Sequence, residues 1–311
     1  MISFRLIRFD RSAATGAAVI MIAALLSPAQ AQQAFPSPED AAAALAAAVK
    51  TGTRGAMLKV LGRGAAEIIE SGDDVADAET RQRFLSAYGA KHSIKTEDNK
   101  KATLILGDDD FPFPIPLVNS KSGWEFDPAA GRREVLARRI GRNELDAIQT
   151  SLAFADAQNE YAEKDRTGDG PGIYAQRIIS SPGKKDGLFW RDDREPSPLG
   201  EFAAKAAEEG YKAGKEGSAP YHGYYYRILK AQGSDAPGGA LSYVVKGKMI
   251  GGFGLIAYPA EYGNSGVMTF LVNHAGTVYQ KDLGPRTTSI AKRIAQFDPD
   301  QTWKKVDPVK P

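Results

Sequence analysis

Asn143-Glu-Leu-Asp-Ala-Ile-Gln-Thr-Ser-Leu-Ala-Phe-Ala-Asp-Ala-Gln-Asn-Glu-Tyr-Ala162 is the stretch that decides how this chain is built. Leu145, Ile148, Leu152, Ala155, Asn159 and Ala162 recur three and four residues apart, so one face of a helix is expected to meet a core. The helical region starts at Asp127-Pro128, and Gly141 is expected to interrupt it. Downstream, a polar loop runs from Lys164 to about Pro198, with Ile173–Ser180 as its more ordered part. A short helix, Leu199 to Tyr211, follows.

Strand signals then concentrate. Tyr221 to Leu229 is aromatic and β-branched. Leu241–Val245 and Met249–Tyr258 flank a Lys246-Gly247 turn, and Val267–Val272 and Thr277–Lys281 flank Asn273-His-Ala-Gly276. Gly251, Gly252 and Gly254 leave little side chain on one strand, which suits a closely packed helix or a bulge. A helix feeding an antiparallel sheet is an α+β unit.

Upstream of the long helix the order repeats on a smaller scale. Ser37-Pro-Glu-Asp40 opens an Ala-rich helix that Gly52 stops. Short helices are expected over Thr53–Leu61, Ala65–Glu70 and about Ala76–Tyr88. Thr103–Gly107 and Trp124–Asp127 read as strands. Phe111-Pro-Phe-Pro-Ile-Pro-Leu-Val118 has proline at every second position, so it is an edge strand or an extended segment. The expected organisation is a signal at 1–31, an α+β domain at 32–128, a connecting helix at 129–141, a helix-plus-sheet domain at 142–284 and a helix with tail at 285–311.

Residues 1–31 carry Arg5, Arg8 and Arg11, then an apolar run from Ala13 to Leu26, then Ser27-Pro28 and Ala29-Gln-Ala31. That is the layout of a secretory signal cleaved after Ala31, and it directs the chain to the periplasm. Removing its three Arg and one Asp from 40 basic and 38 acidic residues leaves 37 of each. A charge-balanced body has no general hold on a polyanion, so nucleic acid is not an expected partner. After cleavage no stable membrane span is expected. The absence of cysteine excludes disulfides, thiolate metal sites and a lipid-modified N-terminal Cys.

Several stretches resemble a bacterial family known as domain of unknown function 2950. They are Phe111–Val118, Ala137-Arg-Arg-Ile-Gly-Arg-Asn-Glu-Leu145, Pro220–Leu229, Met249–Phe253 and Pro259–Phe270. The resemblance implies an envelope setting and no particular activity. Residues 142–283 are also similar to the heads of pilins and pseudopilins, and residues 37–127 to the cone of nuclear-transport-factor-2-like domains. Both are fold likenesses only.

The strand aromatics are the first binding candidates. Tyr221, His222, Tyr224, Tyr225 and Tyr226 put rings on both faces of one strand, although only one face should be core. Glu261 beside Tyr262 is a candidate carboxylate for glycan cleavage, as is Glu160 with Asp165. Asp165, Thr167 and Asp169 before Gly170 follow the spacing of a calcium loop, but Gln176 stands where a bidentate Glu is needed. Calcium is therefore the one cofactor the sequence admits. His92, His222 and His274 lie on unrelated segments. Ser181-Pro-Gly-Lys184 with Lys50-Thr-Gly52 matches a catalytic motif in letters and fails in context, and Gly263-Asn-Ser-Gly266 lacks the residue pattern of a nucleophile elbow and reads as a turn.

These readings favour a non-catalytic binding or scaffold module whose partner is an envelope protein or cell-wall component. Alternatives are a periplasmic hydrolase of wall or glycan material and a pseudopilin-like structural component.

Overall fold

The computed structural model describes residues 32–192, 195–212 and 219–306; the proposed signal, residues 1–31, lies outside them. Among the described residues, seven α-helices and fourteen strands make an α+β fold. The first helix, α1 (Pro38–Thr51), starts where Ser37 accepts the Asp40 amide at 3.0 Å and stops at left-handed Gly52. Helix α2 (Arg54–Leu61) follows, then a 3-10 turn (Arg63–Ala65) leading into α3 (Ala66–Ile69). Helix α4 (Asp74–Ala90) is capped by Asp73.

Sheet one contains β1 (His92–Glu97), β2 (Lys101–Leu106), β3 (Phe111–Pro112), β4 (Leu117–Ser120) and β5 (Gly123–Phe126). The order is β1-β2-β4-β5, with β3 also on β2, all antiparallel. β1 was not expected, since His-Ser-Ile-Lys-Thr-Glu is polar. It is nearly all exposed and held by backbone pairing with β2. The proline run keeps its edge character: β3 and the Phe113 amide pair with β2, the chain bows out at Pro114, and only from Leu117 does it enter the sheet. The first core fills the angle between α1, α2 and this sheet with Leu45, Met57, Ile115, Leu117, Trp124 and Phe126.

Helix α5 (Pro128–Glu163) is continuous for 36 residues, roughly 54 Å at the rise of an α-helix. Gly141 does not interrupt it. An exposed glycine costs about 1 kcal/mol relative to alanine, and anchoring on both sides of Gly141 outweighs that. The buried stripe is also shifted from the expected one: Leu145 and Asn159 are exposed, while Ala147, Ile148, Ser151, Phe154, Gln158 and Tyr161 face inward. Gln158 tolerates full burial because its amide pairs both ways with the Ala175 backbone, at 2.8 and 2.9 Å. Hydrophobic spacing alone could not see that partner.

After α6 (Gly200–Glu208) come β6 (Tyr224–Leu229), β7 (Ala231–Gln232), β8 (Leu241–Ser242), β9 (Val244–Val245), β10 (Lys248–Met249), β11 (Gly254–Pro259), β12 (Met268–Asn273) and β13 (Val278–Asp282). Helix α7 (Thr287–Ala291) and β14 (Lys304–Lys305) end the described chain. Sheet two has the order β14-β13-β12-β11-β6, while β7-β8 and β9-β10 form small ribbons. The Lys246-Gly247 turn has φ of 51° and 82°, the doubly left-handed form expected of a two-residue hairpin. Helix α5 and the segment after it cover one face with Phe154, Tyr161, Leu188, Leu255 and Phe270. Helix α7 and the segment after it cover the other with Leu229, Ile256, Leu271, Ala291 and Phe297.

The glycines of the 251–254 stretch answer to close approach, though not by a helix. A Cβ on Gly251 would stand 2.8 Å from the Ser242 carbonyl oxygen, and one on Gly252 would stand 2.5 Å from the His274 ring. Among the described residues, no helix is long and apolar enough to cross a membrane. From Gln32 onward the chain forms a single compact unit.

Candidate functional site

Tyr221-His222-Gly223-Tyr224 is a turn, with Tyr221 and Tyr224 bridged and His222 and Gly223 at φ of 48° and 75°. A strand through all nine residues was expected; β6 begins only at Tyr224. Glycine is required at 223 because a Cβ there would meet the Asn143 side chain at 2.6 Å as well as strain the backbone. His222 is held between two carboxylates, Nε2 to Glu209 at 3.1 Å and Nδ1 to Asp146 at 3.5 Å, against the rings of Tyr211 and Tyr221.

The tyrosines of β6 do not form one binding face. Tyr224 is fully buried and donates to the Met268 carbonyl at 3.0 Å. Tyr225 turns to the opposite face and packs on Tyr258. Tyr226 returns to the α5 side, and burial pushes its phenol well above the ordinary range. The premise that one face of this strand is free fails because sheet two is covered on both. Aromatics on both faces therefore pack against a core on both, Tyr224 fully buried and Tyr225 and Tyr226 half-buried.

Glu261 and Tyr262 lie elsewhere again. Tyr262 donates to Asp282 at 3.3 Å. Glu261 accepts from Asn264 Nδ2 at 2.7 Å and lies so close to Gly72 that a Cβ there would be 2.9 Å from its side chain. Glu261 thus belongs to a polar seam joining the first helices to sheet two. Arg139, on α5, donates to the Glu67 carbonyl at 2.8 Å and to the Ile68 carbonyl and Asn264 Oδ1. Burial holds its guanidinium below the ordinary pKa; Asp77 works in the opposite direction. Asn143 donates to the Ser265 carbonyl at 2.9 Å, and Glu144 accepts the Val267 and Met268 amides at 3.0 Å. Asp73 completes the seam by accepting from Tyr211 Oη at 2.9 Å and the Gly223 amide at 2.8 Å.

In the Asp165 loop, the carboxylate turns onto its own backbone and accepts the Thr167, Gly168 and Asp169 amides at 2.7–3.2 Å. Those bonds hold its pKa below the usual carboxylate range. Asp169 pairs with Lys248 at 2.8 Å. Among the described residues, no group of three His, Cys, Asp or Glu side chains is arranged to hold a metal. Thr167, Asp169 and Tyr226 instead share the wall of an open cleft of about 900 Å³ with mixed lining, together with Gln176, Arg177 and Lys230.

A different cavity carries the clearest binding geometry. It occupies about 420 Å³ between α1, α2, α4, sheet one and the first half of α5. That is within the size range of small-molecule sites. Its walls are Leu45, Val49, Met57, Phe84, Phe113 and Ile115, and its rim carries Arg81, Arg83, Arg138, Arg139 and Arg142. The cavity is left where helices α1 to α4, the first half of α5 and the bowed Phe111–Ile115 segment meet without filling the space between them. Asp77 lies in its wall, its carboxylate accepting the Ser71 amide at 2.9 Å, and burial raises its pKa.

Residues 32–306 match the family model described as a protein of unknown function (DUF2950). The chain belongs to the DUF2950 family. No curated protein and no solved structure matches it, so the likenesses to pilin heads and to nuclear-transport-factor-2-like cones gain no support. Two stretches that suggested DUF2950 from the sequence, Phe111–Val118 and Ala137–Leu145, supply Phe111, Phe113, Ile115, Arg138, Arg139 and Arg142 to the cavity. No candidate site residue chosen from the DUF2950 sequence lines it. The usable signal was Arg142 one helical turn beyond the adjacent Arg138 and Arg139 on α5, a local basic cluster in a body whose charges balance overall.

Proposed function

We propose that this protein is an exported, non-catalytic binding module of the cell envelope, and that its ligand enters the apolar cavity above α4. The observation that carries the reading is a cavity of small-molecule size with apolar walls and a charged rim, bordered by the first core. Release of a signal after Ala31 would place it in the periplasm, where a partner or wall component is the expected context. Glu261 is committed to Asn264 and the seam, which favours binding over hydrolysis as its role.

The test is direct. The mature chain from Gln32 should bind the neutral fluorescent dye N-phenylnaphthylamine, and Ala87→Trp, which fills the cavity from α4, should abolish that binding with the far-UV circular dichroism unchanged. Dye affinity that ignores Ala87→Trp overturns the assignment of the site.

A further inference from the structure

The rim of the cavity is electrically unbalanced. Five guanidinium groups, Arg81 and Arg83 on α4 and Arg138, Arg139 and Arg142 on α5, face two carboxylates, Asp77 and Asp109. Three of the five are already occupied. Arg83 pairs with Glu79, Arg138 pairs with Glu134, and Arg139 is spent on the Glu67 and Ile68 carbonyls. Arg81 and Arg142 have no ion-pair or hydrogen-bond partner among the described residues.

The mouth itself is amphipathic. Phe111 is 43% exposed at the rim, and the Arg138 guanidinium lies 5.0 Å from its ring centroid. A cation would be repelled there, and a neutral apolar ligand would leave unused the forked donors of Arg142 and of Arg81, which already feels the Asp77 carboxylate. A planar or tetrahedral oxyanion matches their forked donors. Resting on the reading of the cavity as a binding site, we infer that the ligand is a single-chain anionic amphiphile. Its chain lies among Leu45, Val49, Met57, Phe84 and Phe113, and its carboxylate or phosphate head is clamped by Arg81 and Arg142.

Displacement of N-phenylnaphthylamine from the mature chain tests this with four ligands of one chain length, each below its micelle concentration. Dodecanoate and dodecyl phosphate should displace the dye at about tenfold lower concentration than dodecanol, as expected of charge-assisted hydrogen bonds, and dodecylammonium should be weakest. The Arg81→Gln/Arg142→Gln double variant should erase the advantage of the anions and leave displacement by dodecanol unchanged. The two anions tell a carboxylate site from a phosphate site. Equal displacement by dodecanol and dodecanoate overturns the headgroup assignment while the cavity remains a binding site. Failure of the dye to bind at all overturns both.

Discussion

Asp73 is the residue on which the most separate pieces depend. One carboxylate oxygen accepts the Val75 and Ala76 amides at 3.2 Å and so caps α4; the other accepts Tyr211 Oη and the Gly223 amide. Its side chain is almost wholly buried. Asp73→Ala removes a helix cap and orphans two buried donors, a loss of about 3 kcal/mol on ordinary magnitudes. Asp73→Asn should be nearly as costly, because whichever way the amide turns, an N–H faces backbone N–H groups that need an acceptor. Urea denaturation of both variants measures this; an Asn variant as stable as the parent would show that Asp73 acts by shape rather than as a double acceptor.

At the scale of the element, α5 carries two glycines with opposite prospects. Gly141 is exposed and has nothing within 4 Å of a Cβ position, so Gly141→Ala should stabilise the protein by about 0.5–1 kcal/mol. Gly131 is buried where α5 crosses the bowed proline segment, and a Cβ there would stand 2.5 Å from the Pro114 carbonyl oxygen and 2.8 Å from Ile115 Cα. Gly131→Ala should destabilise by about 1–3 kcal/mol through overpacking against backbone. Thermal unfolding of the two variants side by side checks the pair; shifts of the same sign would contradict the crossing. Both glycines read alike in the sequence, because what separates them is a neighbour 16 or more residues away.

For the whole molecule, the question is whether the first core and sheet two unfold together. Helix α5 runs through both, with Val135 packed on the first core and Ile148, Phe154 and Tyr161 in the second. The seam of Asp73, Arg139, Asn143, Glu144 and Asn264 ties them across more than 60 residues of sequence. A single cooperative transition is therefore expected. Trp124 reports on the first core and Trp190 on the second, so their fluorescence in single-tryptophan variants should change at the same denaturant concentration. Arg139→Met should separate the two curves. If the parent's curves already differ, the seam is not a mechanical joint.

By itself the sequence determined the class of the fold, the positions of most helices and strands, the hairpin turns and the family. Those follow from local spacing, caps and left-handed glycines, which act within a few residues. Ser37, Gly52, Asp127 and Lys246-Gly247 all behave in the structure as their local chemistry dictates. The tertiary structure alone decided where the candidate residues lie and what they touch. The β6 tyrosines became core because α7 and the segment after it cover the face that a two-layer reading leaves open, and Glu261 became a fastener because Gly72 packs against it. The cavity was invisible for the same reason. Its apolar walls are ordinary core residues from five helices and two strands, and a void is a property of how distant surfaces fail to meet, which no spacing along one segment encodes.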